Sequence, residues 1–210
     1  MSLYPHRMPR WVAPFFPAYT WRLPANEKHL YLTFDDGPIP EVTPQVLDIL
    51  YKTGIKATFF WVGENVARYS GVAKDVLSSG HFIGNHSHTH LKGWEVSTKR
   101  YLEDVNKAQS TIQDVTGQSP KWFRPPYGRL TKAQGLRLRK DFQIAMWSVL
   151  SWDFESRLSP KTILRGTSKA TDSGSIVVFH DSLKAEPRML KVLPDYLQWA
   201  IDEGYQFKTL

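Results

Sequence analysis

Residues 30–38 read LYLTFDDGP, and this segment indicates the architecture of the chain. The apolar and β-branched run at 30–34 predicts a buried strand, and two adjacent acids followed by Gly-Pro predict a turn at its end. Buried strands that end in polar loops are typical of α/β proteins, in which the carboxyl ends of parallel strands carry the active site.

The same alternation of short apolar runs and segments with helical periodicity continues to the C-terminus. Thr43 and Pro44 predict the N-cap and first residue of a helix that Gly54 ends. Ser97 predicts the start of a longer helix, and Pro194 predicts either a start or a bend in the last one. Seven strands are predicted, at 30–34, 57–62, 81–84, 122–124, 142–147, 175–179 and 205–208.

A chain of 210 residues is long enough for one domain with a full hydrophobic core. We expect residues 1–29 to form an N-terminal extension that packs on the body, and residues 30–210 to form that domain. The absence of cysteine excludes disulfides, cysteine-ligated metals and a thiol nucleophile. The net charge of +7 favours polyanions, but the sequence carries no nucleic-acid-binding signature, so we expect no nucleic-acid partner.

No stretch approaches the roughly 18–20 continuous apolar residues that span a bilayer. The apolar segment at 11–17 is interrupted by prolines and lacks the cleavage pattern of a signal peptide. We therefore favour a cytoplasmic or membrane-peripheral location, and we expect a monomer. A contact with a membrane surface would use Arg7, Arg10, Trp11, Phe15 and Phe16.

Polar side chains that could carry chemistry follow five of the predicted strands. Because the carboxyl ends of parallel strands meet at one rim, we expect these clusters to form one site. The clusters are TFDDG at 33–37, NHSHTH at 85–90, RPPYG at 124–128, the segment 147–154 and FHD at 179–181.

His86 and His90 are four residues apart, so a helical turn would place both imidazoles on one face, where they could share a metal. With Asp36 they would form an Asp-His-His set that leaves a position open for water, as in catalytic zinc sites. Asp35 would then remain free as a base, and His88 is assigned a structural role. The alternative is a pair of exposed or hydrogen-bonded histidines beside an ordinary turn.

Three other residues of the clusters also have structural explanations. Arg124 could be a surface arginine in a turn, His180 a buried histidine bonded to a backbone carbonyl, and Asp153 a solvated loop acid. Each cluster taken alone is therefore a weak signal.

Taken in order, five segments resemble the motifs of the polysaccharide deacetylase family, also called the NodB-homology domain or carbohydrate esterase family 4. The resemblance runs from about residue 30 to residue 207. It implies an α/β fold, a distorted (β/α) barrel with about seven parallel strands that is TIM-barrel-like, with residues 30–210 as the catalytic domain. The segments are Thr33–Gly37, His86–His90, Arg124–Tyr127, Trp147–Phe154 and Val177–His180.

The resemblance implies a metal-dependent hydrolase that removes acetyl groups from N-acetylated amino sugars, such as N-acetylglucosamine in peptidoglycan or chitin-like oligosaccharides. By motif position, Asp36, His86 and His90 would hold the divalent metal. Zinc is the first expectation, and cobalt, nickel or manganese would also suit these ligands.

The resemblance also implies roles for five further residues. Asp35 would be the general base and Arg124 would pair with it. His180 would be the general acid, oriented by Asp153, and the backbone N–H of Tyr127 would help to hold the oxyanion.

The fourth motif departs from the common family pattern, Asp-x-x-Asp-Trp. The chain has Leu150 in place of the first acid and Phe154 in place of the tryptophan, which makes the pocket wall more apolar. Substrate preference therefore stays open, with an O-acetyl xylan esterase or an amino-sugar deformylase as alternatives. An inactive glycan-binding protein is the alternative from another class.

Overall fold

Nine strands form one sheet in the computed structural model, which describes residues 4–24 and 27–210. All of the strand pairs in this sheet are parallel. The strands are β1 (Tyr19–Thr20), β2 (His29–Asp35), β3 (Thr58–Trp61), β4 (Phe82–Asn85), β5 (Trp122–Phe123), β6 (Gln143–Ala145), β7 (Val149–Leu150), β8 (Ser175–His180) and β9 (Gln206–Lys208).

The strand order is β1-β6-β5-β4-β3-β2-β8-β7, with β9 paired to β2. Strands β6 and β7 follow each other in the chain but lie near opposite ends of this order, so the sheet curls back on itself. No ladder joins β6 to β7 in the described part of the sheet, which leaves an open seam. The result is the distorted barrel that the resemblance implied.

The expected count of seven strands was too low. Strand β1 was missed because two residues, Tyr19 and Thr20, are too short a run to show periodicity. Strand β7 was missed because the predicted strand at 142–147 ends as β6 at Ala145, and the chain then passes through three irregular residues before β7.

Helices cover the sheet between the strands, and glycines end two of them. Gly54 and Gly117 adopt the left-handed conformation that glycine takes up without strain. The helices are α1 (Thr43–Thr53), α2 (Gly63–Arg68), α3 (Ser70–Ser78), α4 (Thr98–Thr116), α5 (Lys132–Leu138), α6 (Pro160–Ala170) and α7 (Glu186–Asp202).

Two of the predicted helix details change in the structure. The N-cap of α1 is Val42 and not Thr43, because the Thr43 hydroxyl donates to the Asp181 carboxylate and does not accept from the helix. Pro194 does not start α7, which begins at Glu186 and continues through the proline, so only the predicted alternative of a bend remains. Ser97 caps α4 as predicted, since its hydroxyl accepts the Arg100 N–H.

The N-terminal segment lies along the edge of the barrel at β7. The Leu150 N–H donates to the His6 carbonyl, the Met8 N–H donates to the Ser148 carbonyl, and Arg7 bridges Val149 in antiparallel orientation. Residues 1–3 and 25–26 of the predicted extension at 1–29 lie outside the described residues. Pairing with this segment shields an edge strand that would otherwise expose unpaired backbone groups.

The exposed apolar residues of this segment are those named for a membrane contact. The side chains of Trp11 and Phe15 are 69% and 73% exposed. Among the described residues, no helix combines the length and the apolar character needed to cross a bilayer.

The main core lies between β2, β3, β8 and the helices around them. Phe34 is fully buried and stacks on Phe59 with 5.0 Å between ring centroids, and it also contacts Phe179 at 6.3 Å. This core fixes β2, whose last residue is Asp35.

We predict that Phe34→Ala lowers the free energy of unfolding by about 3–5 kcal/mol, because it leaves a cavity in this core. Urea unfolding followed by circular dichroism measures the change. Tyr51→Ala is the matched control, since Tyr51 is 85% exposed on α1 and its truncation should change stability by less than about 0.5 kcal/mol. Equal losses in the two variants would contradict the prediction.

Candidate active site

The polar clusters predicted from the sequence meet at the carboxyl-terminal rim of the barrel. Asp35 ends β2 and His180 ends β8, and the two residues are partners in the register of these parallel strands. Asp35 is also opposite Phe60 of β3, so the neighbouring strand contributes a buried ring to the same level of the barrel.

Asp36, His86 and His90 lie together just above this level. One donor atom from each residue lies within 4.8 Å of the others, and among the described residues these three form the single such cluster. An Asp36 carboxylate oxygen is 3.4 Å from His90 Nε2 and 3.8 Å from His86 Nε2. Donor atoms around a tetrahedral zinc ion are separated by about 3.3–3.5 Å, so the cluster is close to the size that such an ion needs.

The hydrogen bond on the far side of the His86 ring also suits metal binding. His86 Nδ1 lies 2.7 Å from the Arg124 carbonyl oxygen, which can only accept, so Nδ1 carries the proton and Nε2 presents a lone pair toward Asp36. Burial lowers the pKa of His86 to about 4, which keeps the ring neutral. Burial opposes ionisation of Asp36, but the pKa of this carboxyl is lowered, and the positive charge of His180 is the largest influence in that direction.

The loop that carries His86 and His90 is not a helical turn, so the geometric premise of the sequence analysis was wrong. Ser87 and His90 have positive φ angles of 65° and 54°, which fold the loop sharply. The Asp104 carboxylate accepts the N–H groups of His88 and Thr89, which holds this shape in place of helical hydrogen bonds.

His88 is outside the cluster. Its ring is buried against Gly63 of α2, where an added Cβ atom would come within 2.6 Å of His88 Nδ1 and within 2.8 Å of Ala108 of α4. It packs the loop onto the helices while His86 and His90 face the rim.

Arg124 is fully buried, which excludes a surface arginine in a turn. Its Nη1 donates to Asp35 Oδ1 at 2.6 Å and to Thr33 Oγ1 at 2.8 Å. Its Nη2 donates to the Met146 carbonyl at 3.2 Å, and the guanidinium lies 4.0 Å from the centre of the Phe60 ring. Asp35 therefore has a fixed orientation and a permanent countercharge.

His180 forms a second buried acid–base pair, with Asp153. His180 Nδ1 is 2.8 Å from Asp153 Oδ1, and the His180 backbone N–H donates to Asp153 Oδ2 at 2.7 Å. Burial opposes protonation of His180, but the carboxylates of Asp153, Asp36 and Asp35 outweigh it and raise the pKa of His180 to about 9. Asp153 is fully buried, so it is not a solvated loop acid.

Tyr127 stands at the edge of the site on the His90 side. Its φ of 60° is in the left-handed region, and its ring is 4.7 Å from that of His90 and 5.5 Å from that of Trp94. The side chain is 52% exposed, so Tyr127 offers both a turned backbone and a ring to a molecule at the rim.

Asp181 is a buried residue of the site that the sequence analysis did not single out. Its carboxylate accepts the Gly37 N–H at 3.0 Å and the Thr43 hydroxyl at 2.6 Å. It thereby holds the turn that presents Asp36, whose φ of 84° is unusual for a residue with a side chain. An acid directly after His180 was the available signal, but the sequence does not show that it faces the first cluster.

Curated relatives and a solved structure match nearly the whole chain. Two peptidoglycan N-acetylglucosamine deacetylases from Bacillus cereus are each 34% identical to it, over 82% and 91% of this chain. The chain spans 62% of the length of the first and 90% of the second. A crystal structure of a peptidoglycan N-acetylglucosamine deacetylase, bound to 4-naphthalen-1-yl-N-oxidanyl-benzamide, superposes with a TM-score of 0.89 at 30% identity, covering 97% of this chain and 95% of that one.

A catalytically inactive homologue has a similar fold. The structure of a carbohydrate esterase family 4 pseudoenzyme from Bacillus anthracis matches with a TM-score of 0.83 at 27% identity, covering 92% of this chain and 68% of that one. The fold alone therefore does not establish activity, and the site residues must be judged individually.

The family is established by a match that includes three of the five motif segments. The sequence profile described as polysaccharide deacetylase matches residues 22–146, which is more than half of the chain. This agrees with the resemblance of the motifs and with the relatives above. The chain belongs to the polysaccharide deacetylase family.

Proposed function

We propose that the protein is a metal-dependent hydrolase that removes acetyl groups from N-acetylated amino sugars in a glycan, with N-acetylglucosamine of peptidoglycan as the first candidate. The observation that carries this proposal is the Asp36–His86–His90 cluster, flanked by the Arg124–Asp35 pair and by the Asp153–His180 pair. The names of the Bacillus cereus relatives support the choice of substrate. All of the residues that carry the proposal lie within 30–210, which we propose as the catalytic domain.

Asp36, His86 and His90 would hold the metal, and zinc is the ion that we propose. A carboxylate and two neutral imidazoles are ligands that zinc accepts, and three protein ligands leave a position for water or substrate. The bound ion would polarise the acetyl carbonyl and lower the pKa of the attacking water.

Asp35 is placed to act as the general base. It is next to the cluster, it is almost fully buried, and the guanidinium of Arg124 fixes its carboxylate by a hydrogen bond of 2.6 Å. We propose that Asp35 takes the proton of the water molecule whose oxygen bonds to the acetyl carbon.

His180 is placed to act as the general acid. The C–N bond of an amide breaks only when the leaving nitrogen receives a proton, and His180 remains protonated at neutral pH because the pKa of its ring is raised to about 9. Asp153 holds the ring through Nδ1, which leaves Nε2 to donate. The products are acetate and a free amino sugar.

We propose that the backbone N–H of Tyr127 donates a hydrogen bond to the oxyanion. The left-handed conformation of Tyr127 sits in a loop stiffened by Pro125 and Pro126, so the donor would need no reorganisation as charge develops.

The proposal is tested by measuring acetate released from N-acetylchitooligosaccharide, peptidoglycan and acetylated xylan, and formate released from an N-formylated amino sugar. We expect acetate from the N-acetylated glycans, and Asp35→Asn should reduce kcat roughly 10²- to 10⁴-fold. Acetate from xylan alone would favour the esterase, and formate from an N-formylated sugar would favour the deformylase. Glycan binding without turnover, unchanged by Asp35→Asn, would favour an inactive binding protein.

We predict that His86→Ala abolishes stoichiometric zinc binding and deacetylation together, because it removes one of three ligands. Zinc content after dialysis and acetate release provide the measurements. His29→Ala, at the other end of β2, is the control and should keep both. Retention of one zinc and full activity in His86→Ala would show that the ligand set is wrong.

We predict that Asp181→Ala weakens zinc binding about 10- to 100-fold, because the turn that presents Asp36 loses two hydrogen bonds. Asp181→Asn keeps an acceptor and should lose less. Asp114→Ala, an exposed acid on α4, is the control. Competition with a chelator measures affinity, and circular dichroism confirms folding. Unchanged affinity in a folded Asp181→Ala protein would contradict the prediction.

The pKa of His180 predicts how activity changes with pH. Because the folded-state pKa is raised to about 9, the proton donor is present at neutral pH and is lost as pH rises through about 9, so kcat should fall there. Asp153→Asn removes the strongest influence that raises this pKa and should move the alkaline limb to lower pH. His180→Ala should reduce kcat roughly 10²- to 10⁴-fold with zinc retained. An alkaline limb that Asp153→Asn does not move would exclude His180 as its source.

A further inference from the structure

A cavity of about 370 Å³ lies between the N-terminal segment and α6, outside the cluster described above. Arg165 and Lys169 line it from α6, and Tyr4, His6 and Arg7 line it from the N-terminal segment. No acidic side chain of residues 4–24 and 27–210 is part of this lining.

The positive charge around the cavity is not balanced. Arg165 and Lys169 are four residues apart on α6, a spacing at which like charges repel. Both side chains are exposed, and neither forms an ion pair within the part of the chain that the structure describes. An anion between them would convert this repulsion into attraction.

The side of the cavity lined by Arg7 adds to this excess of positive charge. Arg7, Arg10 and Arg22 all pair with the single carboxylate of Asp172, at 2.9, 2.9 and 2.5 Å. Three guanidinium groups around one acid leave a net positive charge, and Arg7 brings it to the cavity because it also lines the wall.

The cavity walls are fixed by the fold. The His6 carbonyl accepts the Leu150 N–H, which ties the N-terminal segment to β7. The His6 ring packs on Gly166 of α6 so closely that an added Cβ atom would collide with it. The space is therefore formed before any ligand arrives.

A row of aromatic rings connects the cavity to the proposed general acid. His180 contacts Phe154 at 4.9 Å, Phe154 contacts Trp152 at 5.4 Å, and Trp152 contacts Tyr4 at 5.3 Å. The Trp152 Nε1–H donates to the Pro5 carbonyl at 3.0 Å, which holds this row against the N-terminal segment. Tyr4 both ends the row and lines the cavity, and aromatic rings of this kind offer flat apolar surfaces to a sugar.

We propose that this cavity binds acidic groups carried by the glycan substrate, so that the protein prefers acetylated glycans that bear carboxylates or phosphates. The inference rests on the proposed glycan deacetylase function. It assigns Arg165 and Lys169 the role of selecting the substrate, away from the reacting atoms. The ring row from His180 to Tyr4 favours a glycan over a membrane headgroup, because it joins the cavity to the active site.

The experiment compares a neutral N-acetylchitooligosaccharide with peptidoglycan fragments of similar glycan length that keep the carboxylates of their peptides. The Arg165→Ala/Lys169→Ala double variant should raise KM for the acidic fragments roughly three- to thirtyfold relative to KM for the neutral glycan. This ratio should shrink at high salt, because the contacts are exposed to solvent. Lys161→Ala, which removes an exposed charge of α6 outside the cavity, is the matched control and should leave the ratio at its wild-type value.

A KM ratio that the double variant leaves unchanged would overturn the inference while leaving the proposed function intact. A second measurement is binding to vesicles of phosphatidylglycerol and phosphatidylcholine. If the double variant lost this binding while the KM ratio stayed the same, the inference would be overturned and the cavity would be a membrane contact. If the wild-type protein released no acetate from any glycan, the proposed function would fail. The dissociation constants of the two glycans, measured by titration calorimetry, would then still test whether the cavity favours the acidic glycan over the neutral one.

Discussion

A guanidinium in the interior of the barrel organises the site. Burying a charged group is unfavourable by several kcal/mol unless another charge and a full set of hydrogen bonds compensate. Asp35 of β2 supplies the opposite charge for Arg124, and Thr33 of β2 and the Met146 carbonyl from the segment after β6 accept further hydrogen bonds from its Nη atoms, whereas its buried Nε has no partner among the described residues. The carbonyl of Arg124 itself accepts a hydrogen bond from His86 Nδ1–H. The orientation of the proposed base and the tautomer of a proposed metal ligand are thus set by one residue.

The two acid–base pairs lie at the ends of the neighbouring strands β2 and β8, and we propose that they divide the chemistry between them. Asp35 is paired with the guanidinium of Arg124, which keeps its charge at ordinary pH and holds the carboxylate of the proposed base in one orientation. His180 is paired with the carboxylate of Asp153, which favours the protonated ring. Both partners are fully buried, so water does not screen either pair strongly. The different partners of Asp35 and His180 would let one small site contain the proposed base and the proposed acid at the same pH.

The sequence predicted the parallel α/β architecture and the rim because these rest on local signals. Apolar runs such as the one before Asp35 and the polar clusters after them were enough to place the site. The shape of the His86–His90 loop was not predictable, since it depends on left-handed backbone at Ser87 and His90 and on Asp104, which is distant in sequence. The burial of Arg124 was missed for the same reason, because each of its acceptors comes from another strand or loop.

The contact between Gly37 and Asp181 restricts how this protein can vary. A side chain at position 37 would collide with the carboxyl group that accepts the Gly37 N–H, so the two positions are mutually dependent although 144 residues separate them. A side chain introduced at position 37 alone creates a clash, and a substitution at position 181 that removes the acceptor leaves the buried Gly37 N–H unsatisfied. Replacement of this glycine–aspartate combination during evolution would therefore require coordinated changes at both positions.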